Sequence, residues 1–209
     1  MIKRVIWDVD GTLLDSDFTY EDELFKSLLS ERNSKTLIER KVTLLVSYEK
    51  SHYRYTKSAL STYLSKELSF NISTDFIEKW INFNMTIPDQ IHEGVEDVLA
   101  YLESKDIDNV VYSNWFAKTQ EGRLEKAKLR SYFGEIYGGD TFIKPNYTGY
   151  LQACYPYLPH ECLMIGDNYM NDVLGPRLAG LNAIYYDKYD RNKDVNNKIK
   201  SLVKIKEML

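Results

Sequence analysis

Two aspartates separated by a single residue, Asp8 and Asp10, follow the apolar run Val5-Ile6-Trp7 and precede Gly11 and Thr12. A short apolar run closed by a glycine turn reads as a strand buried on both faces. Carboxylates at its carboxyl end lie where α/β sheets place their ligands. Gly11 lets the chain turn sharply and Thr12 adds a hydroxyl. Three later sites have the same character: Ser113-Asn114 after Asn109-Val110-Val111-Tyr112, Lys144 before Pro145, and Asp167 with Asp172 after Cys162-Leu163-Met164-Ile165-Gly166. If these runs are parallel strands, their ends share one edge, and acids, a hydroxyl and an ammonium converge from across about 165 residues. Such a set can bind a magnesium ion through hard oxygen ligands, and a phosphate through the cation, the lysine and the hydroxyl. These are the parts of a phosphoryl transfer. Taken singly, each residue has a plainer reading: Asp10 as a turn former, Ser113-Asn114 as a helix cap, Lys144 as a surface lysine, Gly166-Asp167 as a loop after a strand. Their order at successive strand ends favours chemistry.

The elements that must position them are legible from periodicity. After Leu14-Asp15-Ser16 the pattern becomes helical up to Met85, with apolar residues at helical spacing: Leu24, Leu28 and Leu29; Leu37, Leu44, Leu45 and Tyr48; Leu60, Tyr63, Leu64 and Leu68. Between Thr36 and Leu68 one bent helix and two helices fit equally. Ser73-Thr74-Asp75 offers N-caps for a last helix carrying Phe76, Ile77, Trp80 and Ile81. Pro88 and Gly94 mark the return to alternating helices and strands. Helices are expected at Val95 to Leu102, around Leu124 to Leu129, at Tyr147 to Tyr157 and at Asp172 to Ala179. Strands are expected at Asn109 to Tyr112, near Ile136-Tyr137, at Cys162 to Ile165 and at Ala183 to Tyr186. Lys188 to Asn197 reads as a surface loop, and Ile199 to Leu209 as a closing helix. The fold class is therefore α/β: a doubly wound parallel sheet formed by residues 1–16 and 87–209, interrupted by an α-helical cap at 17–86.

With 209 residues and a formal net charge of −4, the chain is long enough for a real core and has no electrostatic footprint for nucleic acid or an anionic membrane. It has no run long enough to span a membrane and no room for a signal peptide before the first strand, so a cytoplasmic protein is expected. Cys154 and Cys162 form neither a disulfide framework nor a metal motif. His52, His92 and His160 have no zinc-ligand spacing. Five of the 17 tyrosines fall between Tyr20 and Tyr63, as ring bodies of a helical core with hydroxyls at its edge.

Together, Asp8-Val9-Asp10-Gly11-Thr12, Ser113-Asn114, Lys144-Pro145 and Gly166-Asp167-Asn168-Tyr169-Met170-Asn171-Asp172 resemble the four motifs of the haloacid dehalogenase superfamily. The helical insertion after the first motif is similar to that superfamily's first cap class, as in phosphoglycolate phosphatases, β-phosphoglucomutases and nucleotide phosphatases. Glu93-Gly94-Val95, Gln120 and Ala179-Gly180-Leu181 match as well. The resemblance implies that Asp8 is a nucleophile forming an aspartyl-phosphate and that Asp10 protonates the leaving oxygen and then activates water. It implies magnesium held by Asp8, the main-chain carbonyl of Asp10 and Asp167, with Asp172 as ligand or support. Ser113 and Lys144 would hold the phosphate oxygens, with Thr12 and Asn114 completing the substrate-binding set.

The same resemblance separates the possible reactions. The superfamily's dehalogenases lack an acid two residues after the nucleophile, so Asp10 points to phosphoryl transfer. A phosphomutase of the β-phosphoglucomutase type would return the group to a sugar, but nothing in the insertion specifies a phosphosugar. A non-catalytic binding or regulatory module would not need competent residues at every matched position. The expectation is a magnesium-dependent phosphatase acting on a small phosphorylated metabolite. Among Arg40, Lys41, Arg54 and Lys57 of the insertion, one is a candidate for contacting that substrate. Trp115 and Phe116 are candidates for its entrance, or for packing against the next helix.

Overall fold

The computed structural model describes residues 1–195 and 198–209, and its elements run as follows. β1 (Arg4–Trp7) and β2 (Leu14–Ser16) are followed by α1 (Tyr20–Leu28), α2 (Glu31–Ser51), α3 (Lys57–Leu68) and α4 (Thr74–Asn84). Then come β3 (Asp89–Ile91), α5 (Val95–Glu103), β4 (Asp108–Tyr112), α6 (Ala117–Lys126), β5 (Ile136–Tyr137) and α7 (Tyr147–Cys154). β6 (Cys162–Gly166), a π turn (Tyr169–Leu174) running into α8 (Gly175–Leu178), β7 (Asn182–Tyr186), β8 (Lys198–Ile199) and α9 (Ile205–Met208) complete the chain.

Among the described residues, six strands form one parallel sheet in the order β5-β4-β1-β6-β7-β8. The chain builds outward from β1 in one direction through β4 and β5, then in the other through β6, β7 and β8. The carboxyl end of β1 is thus the topological switch point, where a crevice opens between diverging loops. Both faces of the sheet are covered, which is why the strands are continuously apolar. Val5 and Trp7 face α5, α6 and α9 through Val95, Leu99, Leu124 and Ile205, whereas Ile6, Cys162 and Met164 face Tyr150, Ala153 and Val173. A single-residue step along each strand switches faces.

The four helices α1 to α4 lie between β2 and β3, two short strands that pair antiparallel with Leu14 opposite Ile91 and Ser16 opposite Asp89. The helices share an apolar core of Phe25, Leu37, Leu44, Tyr48, Leu60, Leu64, Ile77 and Trp80, which also takes in Phe116 and Ile143 from loops at the sheet edge. The stretch from Thr36 to Leu68 falls into two helices, because the chain leaves helical geometry at His52 and restarts at Thr56, whose hydroxyl accepts from Ala59 N at 3.1 Å. Ser73 caps α4 by accepting from Phe76 N at 3.1 Å.

Several element expectations need correction. The helix after Ser113-Asn114 is α6, starting at Ala117 and ending at Lys126, not one running to Leu129. Its buried face is mostly polar, with Thr119, Gln120 and Arg123 beside Leu124, so apolar periodicity is nearly blind to it. α7 ends at Cys154, because Pro156 follows. Helical structure around Asp172 begins as a wide turn at Tyr169, and Pro176 lacks the N–H that would bond back to Asp172. Ile199 belongs to β8, paired with Tyr186, and only Ile205–Met208 is α-helix. Of the loop expected over Lys188 to Asn197, residues 196 and 197 lie outside the described ones. Among the described residues, no helix is long and apolar enough to cross a membrane.

Candidate active site

The loop after β1 is wound tightly around one carbonyl: Val9 O accepts from Thr12 N, Leu13 N and Leu14 N at 3.2, 2.9 and 3.0 Å. This presents Asp8 and Asp10 on the same side of the crevice. Gly11 makes the turn possible, with a φ of 78°. A Cβ there would lie 2.5 Å from Asp167 Oδ2. Gly11→Ala is therefore expected to strain the turn and push Asp167 aside, costing about 1–3 kcal/mol in urea denaturation together with a loss of turnover. Normal turnover at reduced stability would show that the approach of Asp167 to this loop has no part in activity.

Lys144 is buried with its ammonium between two carboxylates, 2.7 Å from Asp8 Oδ1 and 2.7 Å from Asp172 Oδ1. Asn114 fixes that lysine's main chain, its Oδ1 accepting from Lys144 N at 2.7 Å. The other oxygen of Asp172 accepts from Asn168 N at 3.0 Å, so the carboxylate is oriented from both sides. Oxygens of Asp8, Asp167 and Asp172 lie within 4.8 Å of one another. Three carboxylates against one ammonium leave an excess of two negative charges when all are ionised. Burial, only partly offset by Lys144 and reinforced by Asp172 and Asp167, pushes the Asp8 carboxyl well above its ordinary range. Burial and then Asp172 push Asp167 up to about 6. Burial works against the Lys144 ammonium, but Asp172 and Asp8 outweigh it and hold its pKa above the usual lysine value. An all-oxygen donor set with two uncompensated negative charges suits a hard divalent cation such as magnesium.

A second network lies on the other side of Asp10. Gln120 Nε2 donates to Asp10 Oδ2 at 2.9 Å and to Ser113 Oγ at 2.8 Å. Arg123, only 1% exposed, donates from Nη1 to Asp10 Oδ1 at 2.7 Å and to Gln120 Oε1 at 2.8 Å. Its Nε and Nη2 reach Asp89 at 3.2 and 2.9 Å, and Nη2 also bonds Ser16. Arg123 and Asp89 escape the sequence reading. The one available signal is that Gln120 and Arg123 are three apart, on one face of a helix whose apolar residues are sparse.

Asp8, Asp10, Ser113, Asn114, Lys144, Asp167 and Asp172 all line one cavity of about 350 Å³, roofed by the helices. Thr12 stands apart: it is fully buried, with Oγ1 3.5 Å from Asp8 Oδ2, and does not line the cavity. Of the four helix cations singled out above, Lys41 lines it; Arg40 donates to Glu67 O, Lys57 pairs with Glu78, and Arg54 lies over the Tyr53 ring. Trp115 lines it too, whereas Phe116 is buried in the helical core.

A family model for haloacid dehalogenase-like hydrolases matches residues 2–180. The chain belongs to this family. This haloacid dehalogenase-like hydrolase is similar to the pyrimidine 5'-nucleotidase PynA of Streptococcus pneumoniae, 26% identical over an alignment of 202 positions that covers 90% of this chain and 84% of the relative. It is also similar to a phosphoglycolate phosphatase of Aliivibrio fischeri, 27% identical over an alignment of 194 positions that covers 87% of this chain and 82% of the relative. Among solved structures, the magnesium-bound HAD hydrolase YfnB of Bacillus subtilis has a TM-score of 0.73 at 21% identity, over 100% of this chain and 99% of that one. The L-2-haloacid dehalogenase of Xanthobacter autotrophicus has a TM-score of 0.66 at 16% identity, over 100% and 88%. The haloacid dehalogenase-like fold is shared with a dehalogenase, so fold does not choose the reaction, and the site residues must.

Proposed function

We propose that the protein is a magnesium-dependent phosphatase that hydrolyses a small phosphorylated metabolite through an aspartyl-phosphate on Asp8. The observation that carries this reading is Lys144 seated 2.7 Å from both Asp8 and Asp172, with Asp167 and Asp10 at the same cavity. A dehalogenase has no use for a second acid beside the nucleophile. The similarity to two phosphatases, one named for pyrimidine 5'-nucleotides and one for phosphoglycolate, supports the reaction class.

In this reading an Asp8 oxygen attacks phosphorus, the bond from phosphorus to the substrate oxygen breaks, and Asp10 delivers a proton to that oxygen. Asp10 then takes a proton from water, whose oxygen displaces Asp8 and releases inorganic phosphate. Lys144 and Ser113 hold the non-bridging oxygens, Asn114 fixes the lysine loop, and Thr12 supports Asp8 from below. Asp8, Asp167 and the Asp10 carbonyl would hold magnesium, with Asp172 beside them; when bound, the cation neutralises charge on the transferring group. Residues 1–16 and 87–209 form the catalytic core in this proposal, and 17–86 a cap hinged near Ser16 and Thr86 to Pro88 that opens for exchange.

The test is release of inorganic phosphate from a generic aryl phosphate, with magnesium and with excess chelator. Turnover that chelation abolishes and magnesium restores is expected; turnover indifferent to chelation would overturn the metal assignment, and none at all the phosphatase. Magnesium binding should also depend on pH. Asp167, with its pKa raised to about 6, binds a proton more tightly folded than unfolded. Its contribution to stability without metal is therefore full below about pH 4 and is lost as pH rises through about 6. Metal binding requires the ionised form. The rise in melting temperature caused by a fixed, sub-saturating magnesium concentration is accordingly expected to be larger at pH 7.5 than at pH 5. An equal rise at both would show that a proton on Asp167 does not compete with the cation.

A further inference from the structure

Helix α2 shows two faces. Leu37, Leu44 and Tyr48 are buried in the helical core, but Val42, Leu45, Val46 and Glu49 form a second stripe at i, i+3, i+4 and i+7, and all four line the same cavity as the acidic cluster. Val42 is 70% and Val46 44% exposed, so core packing does not account for them. Trp115, Tyr55 and Trp80 complete an aromatic and aliphatic wall.

The charges at this end are already committed. Lys41 Nζ pairs with Glu21 and donates to Phe18 O at 3.2 Å, while Glu21 is buried and also accepts from Trp80 Nε1 at 2.6 Å. Glu49 accepts from Tyr55 OH at 3.0 Å and keeps acceptor capacity. Among the described residues lining this end, no unpaired cation is available to a second anionic group. Asn84 and Trp115 line the cavity with Asn84 Oδ1 and Trp115 Nε1 lacking a hydrogen-bond partner among the described residues. The cavity's 350 Å³ is at the small end of organic-ligand sites, yet leaves most of its wall uncovered by a two-carbon leaving group.

Resting on the phosphatase reading above, we propose that the leaving group is an uncharged, ring-bearing alcohol, and that the substrate class is nucleoside monophosphates. The ring lies between the aliphatic stripe and Trp115, the Asn84 amide meets donor and acceptor groups on the base edge, and Glu49 accepts from sugar hydroxyls. A leaving group bearing a carboxylate meets Glu49 and no free cation, so short phosphorylated hydroxy acids are rejected.

The test compares kcat/KM of the magnesium-loaded full chain for a panel of purine and pyrimidine nucleoside 5'-monophosphates, phosphoglycolate, sugar phosphates and a generic aryl phosphate. At least one nucleoside monophosphate should exceed phosphoglycolate and the sugar phosphates by about tenfold or more. Val46→Lys, at an exposed helix position, places a cation on the stripe and should reduce the nucleotide-to-phosphoglycolate ratio by about tenfold. Preference of the wild type for phosphoglycolate or a sugar phosphate, or a ratio indifferent to Val46→Lys, overturns the substrate class and leaves the phosphatase standing. Failure to turn over even the aryl phosphate overturns both.

Discussion

Asp8→Asn is expected to lower phosphate release by at least about a thousandfold while leaving the melting temperature at or above that of the wild type. The two halves have one cause. The amide keeps the shape of the carboxylate and can still accept from Lys144, which donates to Asp8 Oδ1 at 2.7 Å, but it has no anionic oxygen to attack phosphorus. In the folded protein the Asp8 charge is disfavoured by burial and by Asp172, Asp167 and Asp10, with Lys144 alone offsetting it. Removing that charge relieves the fold of a burden that packing alone does not justify. Initial rates and thermal melts on the same preparation check both. A large loss of stability with residual turnover would identify Asp8 as half of a structural ion pair, and the nucleophile would have to be sought elsewhere.

How far the sequence shows this arrangement depends on which forces write a local pattern. β1, β4, β6 and β7 are legible because strands covered on both faces must be apolar throughout, and Gly11 and Gly166 stand where acids crowd the backbone: a Cβ at Gly166 would lie 2.3 Å from Asp172. Asp8, Lys144 and Asp172 are legible together because parallel strands bring their ends to one edge, whatever the separation along the chain. α6 is less visible, since its inward face is Thr119, Gln120 and Arg123, and a polar residue buried by a partner is indistinguishable in sequence from one facing water. The same holds for Asp89, which follows a proline and reads as loop. The cavity face of α2 is also obscured, because Leu44, Leu45 and Tyr48 merge into a single apolar run although Leu45 lines the cavity while its neighbours fill the core. β8 is two residues long, and a ladder that short leaves no periodicity.

Arg123→Ala is expected to have the largest effect among positions outside the four motifs. The guanidinium is 1% exposed and the Asp89 side chain 4%, so deletion of the arginine leaves a buried carboxylate without its cation. That lowers stability by about 3–5 kcal/mol and the melting temperature by on the order of 10 °C. The arginine also holds Asp10 Oδ1 at 2.7 Å and braces Gln120, which holds Asp10 Oδ2 at 2.9 Å. Without it the acid is free to rotate, and kcat should fall by about a hundredfold or more, within the usual worth of a placed acid and base. Arg123→Lys should recover part of the stability, since a charge remains, but little of kcat, because a point ammonium cannot fork between Asp10, Asp89 and Ser16. Asp89→Asn separates the two roles. It breaks the pairing with the β2–β3 ribbon yet leaves Arg123 facing Asp10, so stability should drop while kcat stays within about tenfold of wild type. If Asp89→Asn and Arg123→Ala instead lose kcat equally, with the same pH profile, Arg123 only ties the ribbon to α6, and the orientation of Asp10 must come from Gln120 alone.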